Sequence, residues 1–119
     1  MLKYHLIWMP RRRRTVLVEA VADRLEGLLA GKAQGLEVGI EYLAIKPDHL
    51  HMFVNAPPSI AVSQLVYRFK GYTARVLRQE FPHLRKMPSM WTKAYFASTA
   101  GRVSEETIQK YIEAQSKRT

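Results

Sequence analysis

Cysteine is absent from this 119-residue sequence. Disulfide bonds, thiol catalysis and thiolate metal sites are therefore excluded, and the fold needs no oxidising compartment. Long apolar runs are also missing, since none approaches the ~20 residues of a membrane span. The apolar residues 1–9 precede the arginines instead of following them, which is the wrong order for a signal peptide. We expect a soluble, cytoplasmic protein with no membrane partner.

Acidic residues are scarce. Asp and Glu number 10 against 19 Lys and Arg, which gives a net charge of +9 and a pI of about 10.1. This imbalance favours a polyanionic partner, with nucleic acid first and an anionic membrane surface second. The length suits one domain with one core, and 47% hydrophobic residues exclude compositional disorder. We interpret residues 1–119 as a single domain.

The stretch Pro47–Val54 contains two histidines two positions apart in an apolar run. On a strand, residues i and i+2 point to the same side of the sheet. His49 and His51 then share one face, opposite the core-facing Leu50 and Met52. Two adjacent imidazoles can bind one divalent metal, although two ligands are too few for tight binding. A half-buried strand with two ordinary histidines is the alternative interpretation.

Hydrophobic periodicity predicts seven elements in the order β-α-β-β-α-β-α. The predicted ranges are strands 3–9, 36–45, 49–54 and 91–98, and helices 15–33, about 61–80 and from 104 onwards. Thr15 is the expected N-cap of the first helix. Hairpin and crossover rules give an α+β fold, a ferredoxin-like or RRM-like antiparallel four-strand sheet with two helices on one face and a C-terminal tyrosine-bearing helix. The histidines should lie on the open face.

The last helix has well-formed start signals. Ser104 is the expected N-cap, and Glu105 and Glu106 lie in the first turn, where the helix dipole favours anions. Tyr111 and Gln115 are four residues apart and therefore project together. The pattern alone is typical of a core tyrosine with its hydroxyl at the rim. If this helix crosses the open face, it carries both side chains towards the histidine pair.

Arginines cluster in the loop after the first strand and on the outer faces of the second long helix. The candidate DNA-binding residues are Arg11, Arg12, Arg13, Arg14, Arg68, Arg75 and Arg78. Such residues often only solvate a surface. The functional alternative is contact with a phosphate backbone, which positions a nucleic acid without reading its sequence.

Several segments together resemble the single-tyrosine HUH transposases of the insertion-sequence-200 type. The segments are Tyr4-His5-Leu6-Ile7-Trp8 with the basic loop after it, Pro47-Asp48-His49-Leu50-His51, Lys70-Gly71, Tyr95-Phe96-Ala97-Ser98-Thr99, and Val103 to Ile108 continuing through Tyr111 to Gln115. Each segment alone is weak evidence for the family. The resemblance runs over nearly the whole chain, in the order found in the family.

The resemblance implies a role for each candidate residue. His49 and His51 match the metal-binding pair, Tyr111 matches the nucleophile and Gln115 matches the third protein ligand. Members of the family use Mg²⁺ or Mn²⁺ to cleave single-stranded DNA beside imperfect hairpins at the ends of the element. They form a 5′-phosphotyrosine and a free 3′-hydroxyl. They act as homodimers, in which the tyrosine helix of one subunit can complete the histidine site of the other.

Other functions remain open at this point. A replication or plasmid-relaxation initiator uses the same histidine pair and tyrosine, but such domains generally need a longer chain. A non-catalytic RNA-binding domain with an RRM-like sheet is a second alternative, although the chain lacks the Lys/Arg-Gly-Phe-x-Phe pattern on a central strand. A domesticated copy that binds hairpins without moving DNA is a third.

Overall fold

The computed structural model describes residues 1–99 and 105–116, and in the last helix the side chains of residues 106–114. The strands are β1 (Leu2–Trp8), β2 (Gly39–Lys46), β3 (His49–Ala56) and β4 (Phe96–Ser98), and the helices are α1 (Glu19–Gly35), α2 (Val62–Glu80) and α3 (Glu105–Ser116). Short 3-10 helices span Arg11–Arg13 and Pro82–Lys86. No helix in the described parts of the chain is both long enough and apolar enough to cross a membrane.

The four strands form one antiparallel sheet in the order β2-β3-β1-β4. The sheet confirms the predicted α+β, ferredoxin-like architecture, because each of the two central strands pairs with a strand that is not its neighbour in sequence. β1 places His5 opposite Phe53 and Ile7 opposite His51. On its other side Ile7 lies opposite Phe96 of β4. One row of residues therefore runs across the sheet from β3 to β4.

The main core lies between one face of the sheet and helices α1 and α2. Every second residue of β3 is fully buried there, beginning with Leu50 and Met52. Trp8 of β1 is also fully buried, and its ring lies 6.3 Å from that of Phe69 on α2 and 6.1 Å from that of Trp91. Removing such a large side chain from water contributes roughly 1.5–3 kcal/mol or more, so this face anchors the histidine strand.

Helix α3 covers part of the opposite face. Ile108 and Ile112 form a small buried cluster with Ile7 and Met9 of the β1 region. The prediction that the last helix crosses the open face is thus confirmed. The expected N-cap, Ser104, lies outside the described residues.

Helix α1 begins four residues later than predicted. Thr15 is not its N-cap, because the helix begins at Glu19 and its N-cap is Val18. The segment that precedes helix α1 packs into the core instead of forming a helical turn. Leu17 is 2% exposed, and its backbone N–H donates to the carbonyl of Pro47 at 3.0 Å. Burial of Leu17 on an extended segment outweighs the local capping preference of Thr15.

Strand β4 is shorter than the predicted range 91–98. Only Phe96–Ser98 forms the strand. The preceding segment keeps only one antiparallel bridge to the continuation of β1, Pro10 with Trp91, in which the Thr92 N–H donates to the carbonyl of Met9 at 3.0 Å. The carbonyls of Thr92 and Ala94 accept instead from the ammonium of Lys70, at 2.5 and 3.4 Å. A lysine from α2 therefore satisfies carbonyl groups that a longer strand would have paired with β1.

Candidate active site

Strand β3 presents the two histidines on the open face. The burial pattern of the strand alternates strictly, so His49 and His51 are half-buried while their neighbours Leu50 and Met52 are in the core. The two imidazole rings are stacked, with centroids 6.1 Å apart and planes 20° apart. The predicted side-by-side placement away from the core is confirmed, since it follows from the period of two in a strand.

Asp48 holds the ring of His49. The Nδ1 of His49 lies 2.8 Å from Asp48 Oδ1. A carboxylate only accepts hydrogen bonds, so Nδ1 carries a proton, and Nε2 is the ring nitrogen that makes no contact with Asp48. Asp48 Oδ2 lies 3.4 Å from Arg13 Nε, which fixes the carboxylate in turn. A histidine whose second nitrogen donates to a carboxylate is the usual arrangement of an oriented metal ligand.

His51 is held in its uncharged form. Its pKa is lowered to about 4, mainly because burial disfavours the charged ring, and further because His5, His49 and Lys46 contribute nearby positive charge. At neutral pH the ring is therefore neutral, and only the neutral ring has a lone pair for a metal. The ring of Tyr42 on β2 packs against it, with centroids 5.3 Å apart.

A third histidine, His5 of β1, belongs to the same cluster and was missed by our sequence reasoning. Its Nε2 lies 3.4 Å from Nδ1 of His51, and the two rings stack with centroids 5.5 Å apart and planes 6° apart. His5 is 4% exposed, and burial lowers its pKa. The signal was available: Tyr4 and Leu6 alternate into the core, so His5 must point to the open face.

The two histidines provide part of the ligand set that a divalent metal needs. His49 and His51 each offer one imidazole nitrogen, Nε2, while Nδ1 of each ring faces a fixed partner. Across the described residues, however, no group of three or more His, Asp or Glu side chains is arranged to hold a metal ion. The pair therefore needs a further ligand. Gln115 lies on α3, but its side chain is outside the described part of the structure.

Tyr111 lies on the same side of the sheet as the histidines. Its ring packs against Phe96 of β4, with centroids 5.6 Å apart. The Tyr111 hydroxyl is buried and has no hydrogen-bond partner among the described residues. Burial raises the pKa of Tyr111 to about 12. In this position the side chain is a protonated, water-excluded tyrosine and not an activated nucleophile.

Among the described residues, no contact joins Tyr111 to His49 or His51 of its own chain. Phe96, the ring neighbour of Tyr111, shares a row with Ile7 and His51 across three adjacent strands. Two strand spacings separate the ends of that row by roughly 10 Å. His5, His49 and His51 lie on β1 and β3, whereas Tyr111 packs on Phe96 of β4 and on the buried cluster that contains Ile7 and Met9.

The four arginines after β1 do not act as one solvated loop. Arg11 Nη1 donates to Ser89 Oγ at 3.4 Å, and Arg13 pairs with Asp48 beside the histidines. Arg12 and Arg14 are exposed. Arg12 and Arg13 adopt left-handed φ values of 56° and 52°, which are uncommon for residues with a Cβ and are typical of functional loops. Only two of the four side chains are freely available to a phosphate backbone.

The arginines of α2 also divide between two surfaces. Arg68 and Arg75 are exposed, and the Arg75 guanidinium lies 5.7 Å from the ring centroid of Tyr72. Arg78 is half-buried, and its Nη2 donates to the carbonyl of Met87 at 3.0 Å. All three lie on the helical side of the sheet, opposite the histidines.

Comparison with known proteins gives one consistent family. The model described as "Transposase IS200 like" matches residues 1–115. The ISDra2 transposase TnpA of Deinococcus radiodurans is 34% identical over 117 residues, which cover 96% of this chain and 84% of that protein. The transposase of the insertion sequence element IS200 from Salmonella typhimurium is 27% identical over 116 residues, covering 95% of this chain and 76% of that one.

Two solved structures are similar. A transposase from Deinococcus radiodurans R1 superposes with a TM-score of 0.85 at 37% identity, covering 96% of this chain and 90% of the other. The REP-associated tyrosine transposase bound to a REP hairpin superposes with a TM-score of 0.58 at 15% identity, covering 92% of this chain and 61% of the other. The second likeness concerns the fold alone.

Proposed function

The chain belongs to the family of IS200-like transposases and is accordingly a DNA transposase; we propose that it cleaves and rejoins single-stranded DNA through Tyr111. The observation that carries this proposal is the arrangement of the open face. The oriented imidazoles of His49 and His51 lie on it, the His51 ring in its uncharged form, and α3 brings Tyr111 to the same face. The family match favours this function over an initiator nuclease or a non-catalytic RNA-binding domain.

His49 and His51 are the residues that would hold Mg²⁺ or Mn²⁺, with Gln115 proposed as the third protein ligand. When bound, the ion would neutralise charge on the scissile phosphate and make its phosphorus a better electrophile. Asp48 and His5 keep the two rings oriented before the ion arrives. Arg13, through its contact with Asp48, ties the basic loop to the same site.

Tyr111 supplies the nucleophile in this proposal. Its hydroxyl gives up its proton and its oxygen forms a bond to phosphorus while the bond from phosphorus to the 3′-oxygen breaks. The departing oxygen takes up one proton to give a 3′-hydroxyl, so that the protons balance. The 5′-phosphotyrosine keeps a phosphodiester bond, so that rejoining needs no ATP. An ordinary tyrosine has a pKa of ~10 and is a poor nucleophile at neutral pH. Burial against Phe96 raises the pKa of Tyr111 further and makes its hydroxyl a still poorer nucleophile. The Tyr111 side chain therefore has to move away from Phe96 before it can react.

Single-stranded DNA with hairpin ends is the proposed substrate. The net charge of +9 and the exposed Arg12, Arg14, Arg68 and Arg75 provide phosphate contacts. An unpaired strand can reach a side chain on an open sheet more easily than a base-paired duplex can. The REP-associated relative of similar fold was solved bound to a REP hairpin, which supports a hairpin ligand here.

A homodimer with composite active sites is proposed as the working unit. The ring of Tyr111 packs on Phe96 of β4, which is two strand spacings from His51, and among the described residues it contacts neither His49 nor His51. A tyrosine helix from a second subunit would complete the histidine site instead. Symmetric two-fold pairing is the commonest route to such an assembly.

Removal of the Tyr111 hydroxyl oxygen tests the proposed nucleophile. Tyr111→Phe should abolish the denaturant-resistant adduct between protein and single-stranded hairpin DNA, while the dissociation constant for that DNA stays within about twofold, since one hydroxyl contributes little to a charge-dominated interface. Tyr72→Phe, a hydroxyl deletion on α2, is the matched control and should form the adduct normally. An adduct of unchanged yield in Tyr111→Phe, or one that maps to Tyr72 or Tyr95, would disprove the assignment.

A further inference from the structure

A cavity of about 560 Å³ opens between α2 and the segment 89–95. We call it the α2 cavity; its charged side chains are Arg11, Lys70, Arg78 and Lys93, and its aromatic ones are Tyr67, Trp91 and Tyr95. The volume falls in the range of ~300–1,000 Å³ that is usual for small-ligand sites. Helix α2 packs on the core face of the sheet through Phe69, so this cavity and the histidine pair lie on opposite sides of the sheet.

The α2 cavity carries positive charge that no acid balances. In the described parts of the chain, none of its four cations forms an ion pair with a carboxylate. Arg11 and Arg78 instead donate to neutral oxygens, Ser89 Oγ and the carbonyl of Met87. The Nε of Arg11 is buried and has no partner among the described residues. A buried donor without an acceptor is costly, and an anionic oxygen in the cavity would satisfy it.

Lys70 adds a cation that is anchored at the wall. Its ammonium donates to the carbonyls of Thr92 and Ala94, which holds the charge at a fixed position. Burial lowers the pKa of Lys70 to about 8, so most of these side chains are still charged at neutral pH. Three fixed cations facing one cavity repel one another, and a phosphate placed among them removes that repulsion.

Two tyrosine rings, those of Tyr67 and Tyr95, line the cavity. Tyr67 is 76% exposed, so its ring is accessible to a ligand. Beyond Tyr67, a neighbouring groove on the same helix is lined by Lys32, Arg68, Tyr72 and Arg75. A basic path with interleaved tyrosines is typical of surfaces that follow a single strand of nucleic acid.

We propose that the α2 cavity binds one nucleotide unit of the single-stranded DNA, with the phosphate against Arg11, Lys70 and Arg78 and the base beside Tyr67 and Tyr95. The inference rests on the proposed function, because it assumes that the ligand is a DNA strand. It adds a binding site on the face remote from the chemistry. That site would hold a segment of the strand while another segment reaches the histidines.

Titration of the full chain with thymidine 5′-monophosphate, followed by NMR, tests the proposal. The backbone amides of residues 89–95 and the indole N–H of Trp91, which donates to Thr73, lie at or beside the cavity wall and report on binding. Saturable shifts should be confined to this region. Thymidine alone and inorganic phosphate alone should each bind at least about tenfold more weakly, because each supplies only one of the two recognised groups.

Three substitutions separate a built site from general surface charge. Arg11→Gln and Arg78→Gln should each raise the dissociation constant of the nucleotide about fivefold or more, whereas Lys86→Gln, an equal charge loss at an exposed position outside the cavity, should change it less than twofold. Tyr67→Ala should weaken nucleotide binding by a similar factor and leave phosphate binding unchanged, because base stacking on an aromatic ring is lost. Tyr67 is so exposed that this variant retains the fold.

Two further experiments test whether the nucleotide that the cavity binds belongs to a DNA strand. A deoxythymidine decamer should displace the mononucleotide from the same amides. Displacement that fails, shifts that spread over the whole basic surface, or equal binding of phosphate and nucleotide would each overturn the proposal. Tyr111→Phe should bind the mononucleotide as the wild type does. A chain that binds at the α2 cavity but forms no adduct with DNA would disprove the proposed function alone.

Discussion

His5 is the residue whose position changes the interpretation of the site. It is almost fully buried on a face of the sheet that is otherwise partly open, and its nearest polar neighbour is Nδ1 of His51. This contact leaves the Nε2 of His51 as the ring nitrogen that does not face His5. We therefore assign His5 a positioning role: it acts through His51 and not on the substrate.

A substitution at His5 should weaken metal binding without unfolding the protein. His5→Phe keeps a flat ring in the stack with His51 and Phe53 but removes the nitrogen that faces His51. Loss of such an orienting partner typically costs ~10–100-fold in metal affinity. Calorimetric titration with Mn²⁺ measures the effect, and His83→Phe, at an exposed histidine of the 3-10 helix Pro82–Lys86, is the control. Equal Mn²⁺ affinity in His5→Phe and wild type would contradict the role.

At the scale of elements, the short β4 depends on α2. The Lys70 ammonium donates hydrogen bonds to the carbonyls of Thr92 and Ala94, which lie just before the strand. The same lysine is buried enough for its pKa to fall to about 8. The Lys70 side chain thus connects helix α2 and the α2 cavity to strand β4. Phe96 of that strand packs against the ring of Tyr111.

The pKa of Lys70 predicts how stability changes with pH. The native pKa of about 8 lies below the ordinary value of 10.5, so between these values the unfolded chain binds more protons than the native one. The contribution of Lys70 to the free energy of unfolding should therefore rise as the pH rises through this window. Arg11, Arg78, Lys93, Tyr67 and Tyr95 face the same cavity and remain in the variant, so their effects cancel.

Chemical denaturation at pH 7.5 and pH 10 provides the measurement. The difference in unfolding free energy between wild type and Lys70→Met should shift in favour of the wild type at the higher pH. Lys86→Met, which removes an exposed lysine, should show no comparable shift relative to wild type. Parallel pH profiles for wild type and Lys70→Met would show that Lys70 titrates normally.

At the scale of the whole molecule, the proposed homodimer with composite active sites predicts complementation between subunits. Tyr111→Phe and His49→Ala proteins should each be inactive alone in adduct formation. After subunit exchange, a heterodimer built in trans has one site with both an intact tyrosine and an intact histidine pair, so part of the activity should return. The yield of covalent adduct in the mixture is the readout.

Two controls make that experiment decisive. Mass measurement of the mixture must show heterodimers, since their absence would leave no composite site to observe. If heterodimers are present and the mixture stays inactive, each site is built within one chain. If the wild type is a monomer at concentrations where it cleaves DNA, the dimer proposal fails altogether.

The sequence alone determined the fold class and the face of the histidines. Periods of 2.0 and 3.6 residues are set by backbone geometry, so β3 had to direct Leu50 and Met52 inwards and His49 and His51 outwards. Element bounds were less predictable: Thr15 has a capping side chain, yet burial of Leu17 and its bond to Pro47 moved the start of α1 to Glu19. Local preferences lose to tertiary contacts when the contact buries a large apolar side chain.

The tertiary structure alone decided which of these residues meet. His5 lies 46 positions before His51, and only the pairing of β1 with β3 brings their nitrogens to 3.4 Å. The α2 cavity likewise joins Arg11, Arg78 and Lys93, which belong to three separate segments of the chain. Periodicity describes the direction of a side chain within its own element. Proximity between elements depends on strand order and helix packing, which are properties of the folded chain as a whole.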